Sequence, residues 1–591
     1  MSAVFLAFAN SQENRLPTLS QEDDQVYATL SQLAAQQYIT IHRDSFATTG
    51  KIANFLILYR DYLNVFLYSG HAGEHQLELE DQNANAEGIA HLLGQCPNLK
   101  LIVLNGCSTA GQVQRLIELP NHPVVIATSA PVNDFAATQF SVAFFQTMSN
   151  QLDAVANAFE AGLGAAKMVS SGEIRAGRKD VSAQSSGEPL WGMYYDPAGE
   201  SNLQWRLPTT FSVSFSDFAP NDHLIEKMLE AFAPYQEEIA KIVADEKSGN
   251  KRSIVDKREL ILQNLPHPVS EQLRKLIVPE QAGYNAVFYD KVGTDRLRQI
   301  TLTYSTVIEL ITSVMLSQLW DTRQRRSDLN ISDEQHELIR SFLKLDFMQK
   351  KTYNFFPLIR TIREIFDANQ VTYFVKELAD ISQTFNEQSE FFHACNYMET
   401  LRKQFANRVQ TNPNETAQLC VIAEQKLSII LSKLGFMARY VMTSIKEIDV
   451  LKYRHRKEVK YRHKLVKLIS RQGGIAEEPE DLLELLDSAS VIMQRKKVDV
   501  SADDESPSSE EKFLNLSPFV IDANAFDEKA TDSQLYFFDR YEQGGDAYAF
   551  KHIYKPDDMP LIINKQAQYE IIKEQFDTFA ELLFNAPMKA L

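Results

Sequence analysis

Over its first 207 residues the chain alternates short, almost wholly apolar runs with amphipathic stretches long enough for helices. The runs are 4–8 (VFLAF), 38–41 (YITI), 65–68 (VFLY), 99–104 (LKLIVL) and 124–128 (VVIAT). A strand that is apolar at consecutive positions has no face left for water, so it belongs in a sheet covered on both sides. Helical stretches between such strands act as crossovers, which join neighbouring strands in parallel. The pattern predicts an α/β domain with a mostly parallel sheet and helices on both faces. One helix is expected to begin near Ser20, with Glu22, Asp23 and Asp24 as favourable acids in its first turn. Two more follow at about 133–148 and 152–168. A last strand is expected in PLWGMYYDP (189–197), after a polar stretch at 170–189.

Past about residue 215 this alternation stops. Apolar residues recur at helical spacing through 223–247, 296–322, 332–346, 374–409 and 415–470, and a final helix is expected at 566–584. The acidic tract VSADDESPSSEE (500–511) is too poor in apolar residues to pack and reads as a linker. The chain thus divides into an α/β domain (1–207), a large helical regulatory or scaffold region (208–497), an acidic flexible linker (498–512) and a mainly helical C-terminal segment (513–591).

A formal net charge of −18 argues against a protein that coats nucleic acid with its whole surface, while leaving room for a local basic face. The four cysteines, Cys96, Cys107, Cys395 and Cys420, are too scattered for a disulfide framework, and no CxxC pair offers a zinc site. That usage fits a reducing compartment. No metal or cofactor is expected, and no GxxxxGK[ST] pattern points to a nucleotide switch. The opening MSAVFLAFANSQENRLP lacks the basic start and long apolar core of a secretory signal. The apolar stretch 300–320 carries Glu309 and Gln318 and reads as a buried core helix, not a membrane span. The expected setting is cytoplasmic.

Two motifs sit just past strand ends, where an open α/β sheet holds its working residues. FLYSGHAG (66–73) ends the third apolar run and presents His71; LIVLNGCSTAG (101–111) ends the fourth and presents Cys107. Glycines beside both suit tight turns and close approach of a substrate backbone. A thiolate that attacks a carbonyl, with an imidazole nearby to manage the proton, is the minimum set for acyl transfer.

The two blocks, about 36 residues apart on consecutive strands, resemble those of the caspase-like (clan CD) cysteine peptidases, and more closely the CHAT subfamily. There a Gly-His-Gly/Ala block precedes a block read as small-x-Cys-x-Thr/Ser-Gly/Ala. The likeness covers about residues 1–207 and includes VVIATSAPVNDFAATQFSVAFF and PLWGMYYDP. It implies a cysteine endopeptidase with Cys107 as nucleophile and His71 as general base and acid. The backbone N–H groups of Cys107 and Ala72 would form the oxyanion hole; Ala72 stands where caspases have glycine. His75 reads as a bystander. The resemblance also implies a bacterial setting beside helical modules, in antiphage defence or programmed cell death. Substrates there include gasdermin-like pore formers released by proteolysis.

Substrate preference stays open. Enzymes of this kind that cut after Lys or Arg place an acid beside the nucleophile or in the loop after the next strand. Leu104, Asn105 and Gly106 are not acidic, and Asp134 in the second neighbourhood reads first as a helix cap. Arg175, Arg178 and Lys179 lie in the polar stretch and make a candidate self-cleavage loop, with an ordinary surface loop as the plainer reading. The helical region would receive an activating protein or ligand. Within it, KYRHRKEVKYRHKLVKLISR (452–471) is densely basic with two tyrosines interleaved. On a helix it would grip phosphates and bases. A solvated face, or one docked on the acidic 477–487, is the plainer reading. Three readings follow. The first is a regulated endopeptidase acting on a protein partner. The second is a catalytically idle CHAT signalling adaptor. The third is a nucleic-acid-responsive, CRISPR-type regulatory protein.

Overall fold

A computed structural model of the chain describes residues 2–10, 15–35, 38–73, 75–106, 109–129, 132–150, 152–170, 176–180, 191–208, 219–250, 252–278, 289, 291–379, 389–406, 413–468, 475–476, 480–482, 486–496, 513–527, 532–542, 544, 546–556, 558–564 and 566–590. The chain forms two compact units, Met1–Phe218 and Ala219–Leu591. The expected linker at 498–512 lies outside the described residues.

The first unit is built on strands β1 (Ala3–Ala9), β2 (Thr40–Asp44), β3 (Leu63–Gly70), β4 (Gln76–Glu78), β5 (Asn83–Asn85), β6 (Leu101–Asn105), β7 (Val124–Thr128), β8 (Ala176–Asp180) and β9 (Trp191–Tyr195). Its helices are α1 (Leu19–Ala35), α2 (Thr49–Leu58), α3 (Ala86–Gly94), α4 (Val113–Ile117), α5 (Asp134–Asn150) and α6 (Val155–Val169). Each of the five apolar runs overlaps a strand, the run at 38–41 only through Thr40 and Ile41. These strands form the order β2-β1-β3-β6-β7, parallel throughout, and the seven-stranded sheet continues through β9 and β8. β9 is antiparallel to β7, and β8 is parallel to β9.

Both faces of the sheet are covered. Val4, Leu6 and Phe8 of β1 join Val65, Leu67, Leu101 and Val103 in a core with Val26 and Leu30 of α1, Phe140 of α5 and Phe159 of α6. Trp191 of β9 stacks on Phe140 at 4.8 Å. The alternate residues face the other way, where Phe5 meets Phe55 of α2 at 4.1 Å and Phe66 at 5.7 Å. Burial of this kind stabilises by about 1.5–3 kcal/mol per large apolar side chain. A small antiparallel ribbon, β4–β5, stands off the sheet just after β3.

Among the described residues of the second unit ten helices come first: α7 (Asp222–Phe232), α8 (Glu237–Lys247), α9 (Ile254–Gln263), α10 (His267–Ile277), α11 (Thr294–Arg325), α12 (Asp333–Leu343), α13 (Phe347–Thr352), α14 (Phe356–Ala368), α15 (Glu390–Ala406) and α16 (Pro413–Lys433). Among the described helices α11 alone has the length and apolarity to cross a membrane, and 83% of its apolar window is buried within the protein. Its Glu309 takes an ion pair from Lys551 at 2.6 Å.

Two expectations for this region are corrected. The helix expected over 415–470 ends at Lys433, and strands β10 (Tyr440–Leu451) and β11 (Lys460–Lys467) follow as an antiparallel hairpin. A β-bulge between Ile445 and Glu447 explains the misreading: it turns Ile445 and Ile448 to the same side, three residues apart, which imitates helical spacing. Over its described residues, 452–468, the basic segment is therefore the tip and second strand of a hairpin, not a helix. The C-terminal segment is not mainly helical either. It supplies β15 (Phe513–Asn515), which extends the sheet of β10, β11, β12 (Ile475–Ala476), β13 (Glu480–Leu482) and β14 (Val491–Arg495). Beyond it lie β16 (Val520–Asp522), β17 (Leu535–Glu542), β18 (Ala547–His552) and β19 (Leu561–Ile563), an antiparallel sheet, and then α17 (Glu570–Phe584). Phe576 of α17 packs on Phe538 and Tyr548, each at 4.6 Å, so this sheet's aromatic strands are covered by the last helix.

Candidate active site

β3 and β6 are adjacent and in register, with Ser69 opposite Asn105. His71 and Cys107 each follow that pair by two residues, at the carboxyl end of the sheet. Cys107 and Ser108 themselves lie outside the described residues, and the described residues on either side are Gly106 and Thr109. Gly106 is decisive there. A Cβ at this position would lie 2.6 Å from the Gly70 carbonyl oxygen and 2.9 Å from the Ala72 Cβ. Gly106, the residue before Cys107, is thus packed directly on the turn that carries His71, and only glycine permits the approach.

Both turns are pinned. The Gly106 carbonyl accepts a hydrogen bond from the Thr128 hydroxyl. On the far side of Cys107, the Thr109 hydroxyl accepts from Thr128 N at 3.0 Å and donates to Leu104 O at 3.3 Å. The His71 carbonyl accepts from Glu78 N at 2.9 Å. It also lies 2.6 Å from the Tyr68 hydroxyl, which is equally close to Glu78 O. Burial pushes the Tyr68 phenol up, which keeps it a donor. Gln112 reaches across to donate to Gly73 O at 2.7 Å.

Ala72 bridges Leu77 of the ribbon, but the hydrogen bonds beside it run from Gly73 N to Gln76 O and from Glu78 N to His71 O. In an antiparallel pair of that type the central residues turn their own N–H groups outward. The Ala72 nitrogen accordingly faces the Gly106 side, 3.6 Å from the position of a Cβ there.

Beneath the two turns is a buried polar cluster that the sequence reading did not single out. Glu22 of α1 is 1% exposed. Its carboxylate accepts from the Ser69 hydroxyl at 3.0 Å and from the Asn105 amide at 2.9 Å, so it ties the ends of β3 and β6 together. Asn105 also donates to Ser141 Oγ at 2.9 Å and Ala137 O at 3.2 Å. Burial pushes the Glu22 carboxyl up to about 7; hydrogen bonds from Ser141, Asn105 and Ser69 oppose the rise, and the charge of Asp134 adds to it. The available signal was position: Glu22 lies on the stripe of Leu19, Val26, Leu30 and Leu33 that faces the core.

The other candidates fall elsewhere. Asn133 caps α5 by accepting from Phe135 N and Ala136 N, while Asp134 accepts from Thr18 N at 2.8 Å and so joins α5 to the start of α1. Arg175 lies outside the described residues. Arg178 and Lys179 belong to β8, opposite Met193 and Tyr194, where a loop was expected. His75 holds the ribbon's far end through Ala86 N to its own carbonyl, at 3.0 Å. Among the described residues no group of three or more His, Cys, Asp or Glu is arranged to hold a metal ion. The described cysteines, Cys96, Cys395 and Cys420, are all buried, and burial raises each thiol's pKa, the opposite of what a nucleophile needs. Comparison of the chain with protein-family models and with curated proteins finds no match.

Proposed function

We propose that the first unit is a caspase-like cysteine endopeptidase of the CHAT type, with Cys107 as nucleophile and His71 as general base and acid. The observation that carries this reading is the packing of Gly106 against Gly70 and Ala72, which leaves no room for a side chain between the two turns. Neighbouring strands run about 4.8 Å apart. A carbonyl seated over the β3–β6 seam is therefore within reach of groups from both strand ends. In the proposed reaction the Cys107 thiolate adds to the scissile carbonyl carbon, and the Cys107 and Ala72 N–H groups take the charge that develops on oxygen. The C–N bond then breaks as His71 gives its proton to the leaving amine. A water that has lost a proton to His71 adds to the thioester, the C–S bond breaks, and the acid product and free thiol form.

The same resemblance extends the proposal to a protein substrate, such as a gasdermin-like pore former cut in bacterial defence or programmed death, and to a cytoplasmic setting. Regulation falls to the second unit, where an activating protein or ligand would bind.

The test uses the full-length protein and peptidyl acyloxymethyl ketones, which alkylate an activated cysteine. Labelling is expected at Cys107, absent in Cys107→Ala and at least ~100-fold slower in His71→Ala, the low end of what a general base supplies. Labelling indifferent to His71, or partner cleavage that persists in Cys107→Ala, would sink the assignment.

A further inference from the structure

The β10–β11 hairpin ends in a turn whose residues 452–458 are all exposed. Over 452–460 it carries Lys452, Arg454, Arg456, Lys457 and Lys460 against a single acid, Glu458. Lower on the hairpin the charges are balanced across the strands: Lys464 pairs with Glu447, and Arg462 stands opposite Asp449. At the tip, among the described residues, no carboxylate lies within ion-pair distance of any of the five cations. Five like charges held close together repel one another and raise the local positive potential, which draws anions to the tip.

Two more features say what kind of anion. Tyr453 is 46% exposed, with the Arg456 guanidinium 5.7 Å from its ring centre and the His455 ring at 5.9 Å. Beside it is a recess of about 240 Å³ lined by Leu451, Tyr453, His455, Arg456, Glu458 and Lys460. That is below the ~300–1,000 Å³ of sites for drug-sized ligands, and suits one planar heterocycle. A wall with an aromatic face, a guanidinium plane and a carboxylate able to accept from an exocyclic amine is base-recognition chemistry. An anionic membrane surface would gain nothing from the ring-lined recess.

We propose that the tip of the β10–β11 hairpin binds single-stranded nucleic acid, its cations on the backbone phosphates and Tyr453 stacked on a base over the recess. With a net charge of −18 over the whole chain, non-specific coating is disfavoured, and binding is confined to this ribbon. The proposal is independent of the peptidase reading, and either can fail alone.

The experiment is fluorescence anisotropy of full-length protein with labelled single-stranded RNA and DNA of about 20 nucleotides, at 50 and 200 mM salt. Five phosphate contacts predict a log–log salt slope of about −3.5, roughly a 100-fold loss of affinity across that range. The variant K452A/R454A/R456A/K457A is expected to flatten the slope to about −0.7. Tyr453→Ala is expected to lower affinity ~5-fold or more at unchanged slope, the stacking contribution of one base. Equal affinity for RNA and DNA would assign recognition to phosphate and base; preference for RNA would add a 2′-hydroxyl contact. The positions are exposed, and thermal melts confirm that each variant is folded. No saturable binding at 50 mM salt, or binding indifferent to the four alanines, overturns the proposal. So does an unchanged affinity in Tyr453→Ala, which would mean a polyanion contact only.

Discussion

Glu22 in the first unit and Glu424 in the second are both sealed from water, and their charges are managed in opposite ways. Glu424 meets a full positive charge. Arg296, 0% exposed, is paired with it and also donates to Asn221 Oδ1 at 2.8 Å, while Asn221 N satisfies the second carboxylate oxygen. Glu22 meets only uncharged donors, the hydroxyls of Ser69 and Ser141 and the amide of Asn105. Neutral dipoles do not compensate burial as an opposite ion does, so its proton is held up to about 7. One carboxylate is a fixed clamp. The other is a joint, under two catalytic candidates, that changes charge near neutral pH.

Breaking the clamp is expected to have the largest effect. Glu424→Ala strands the buried Arg296 cation and should destabilise the second unit by about 3–5 kcal/mol. Urea unfolding with hydrogen exchange resolved by unit would show the loss there and leave Met1–Phe218 unchanged. A loss below ~1 kcal/mol would dissolve the contrast. Next comes the joint. The folded carboxyl titrates near 7 and the unfolded one near 4.5, so between those values the unfolded chain binds fewer protons. Stability of the first unit is full below 4.5 and falls as pH rises through 7, by about 3 kcal/mol in all. Glu22→Gln should remove that slope, read as melting temperature at pH 5 and pH 8; an unaltered slope would show that Glu22 is not its source. The smallest change is Ser141→Ala. It takes away a donor that favours the charged form, so the fall in stability should move to higher pH, with about 1 kcal/mol at stake.

The sheet could be read in advance because its central strands β1, β3, β6 and β7 are buried and carry near-continuous apolar runs; the fifth run, 38–41, overlaps the edge strand β2 only at Thr40 and Ile41. The candidates His71 and Cys107 were singled out for a related reason, since glycines at the ends of those runs mark where the backbone leaves the sheet. Glu22 was harder to see. A first-turn acid already has a sufficient explanation in the helix dipole, and only its place on the Leu19–Leu33 stripe spoke for burial. β8 (AGRKD) has no apolar pattern at all and is a strand because β9 offers it an edge. β10 (YVMTSIKEIDVL) has no clean alternation, and its bulge brings Ile445 and Ile448 to one side at a helix-like spacing.

Gly106 has a use beyond this molecule. A thiol and an imidazole at strand ends are common enough to be found by accident in any alignment. The absence of a side chain between them is not, because it follows from two turns occupying the same few cubic ångströms. In newly sequenced chains with the same pair of blocks, glycine at this position marks those whose turns still meet. A larger residue there signals that the His-bearing turn has withdrawn, even where cysteine and histidine are both retained. One letter of sequence would then separate chains whose two turns meet from those that have kept the residues and lost the arrangement.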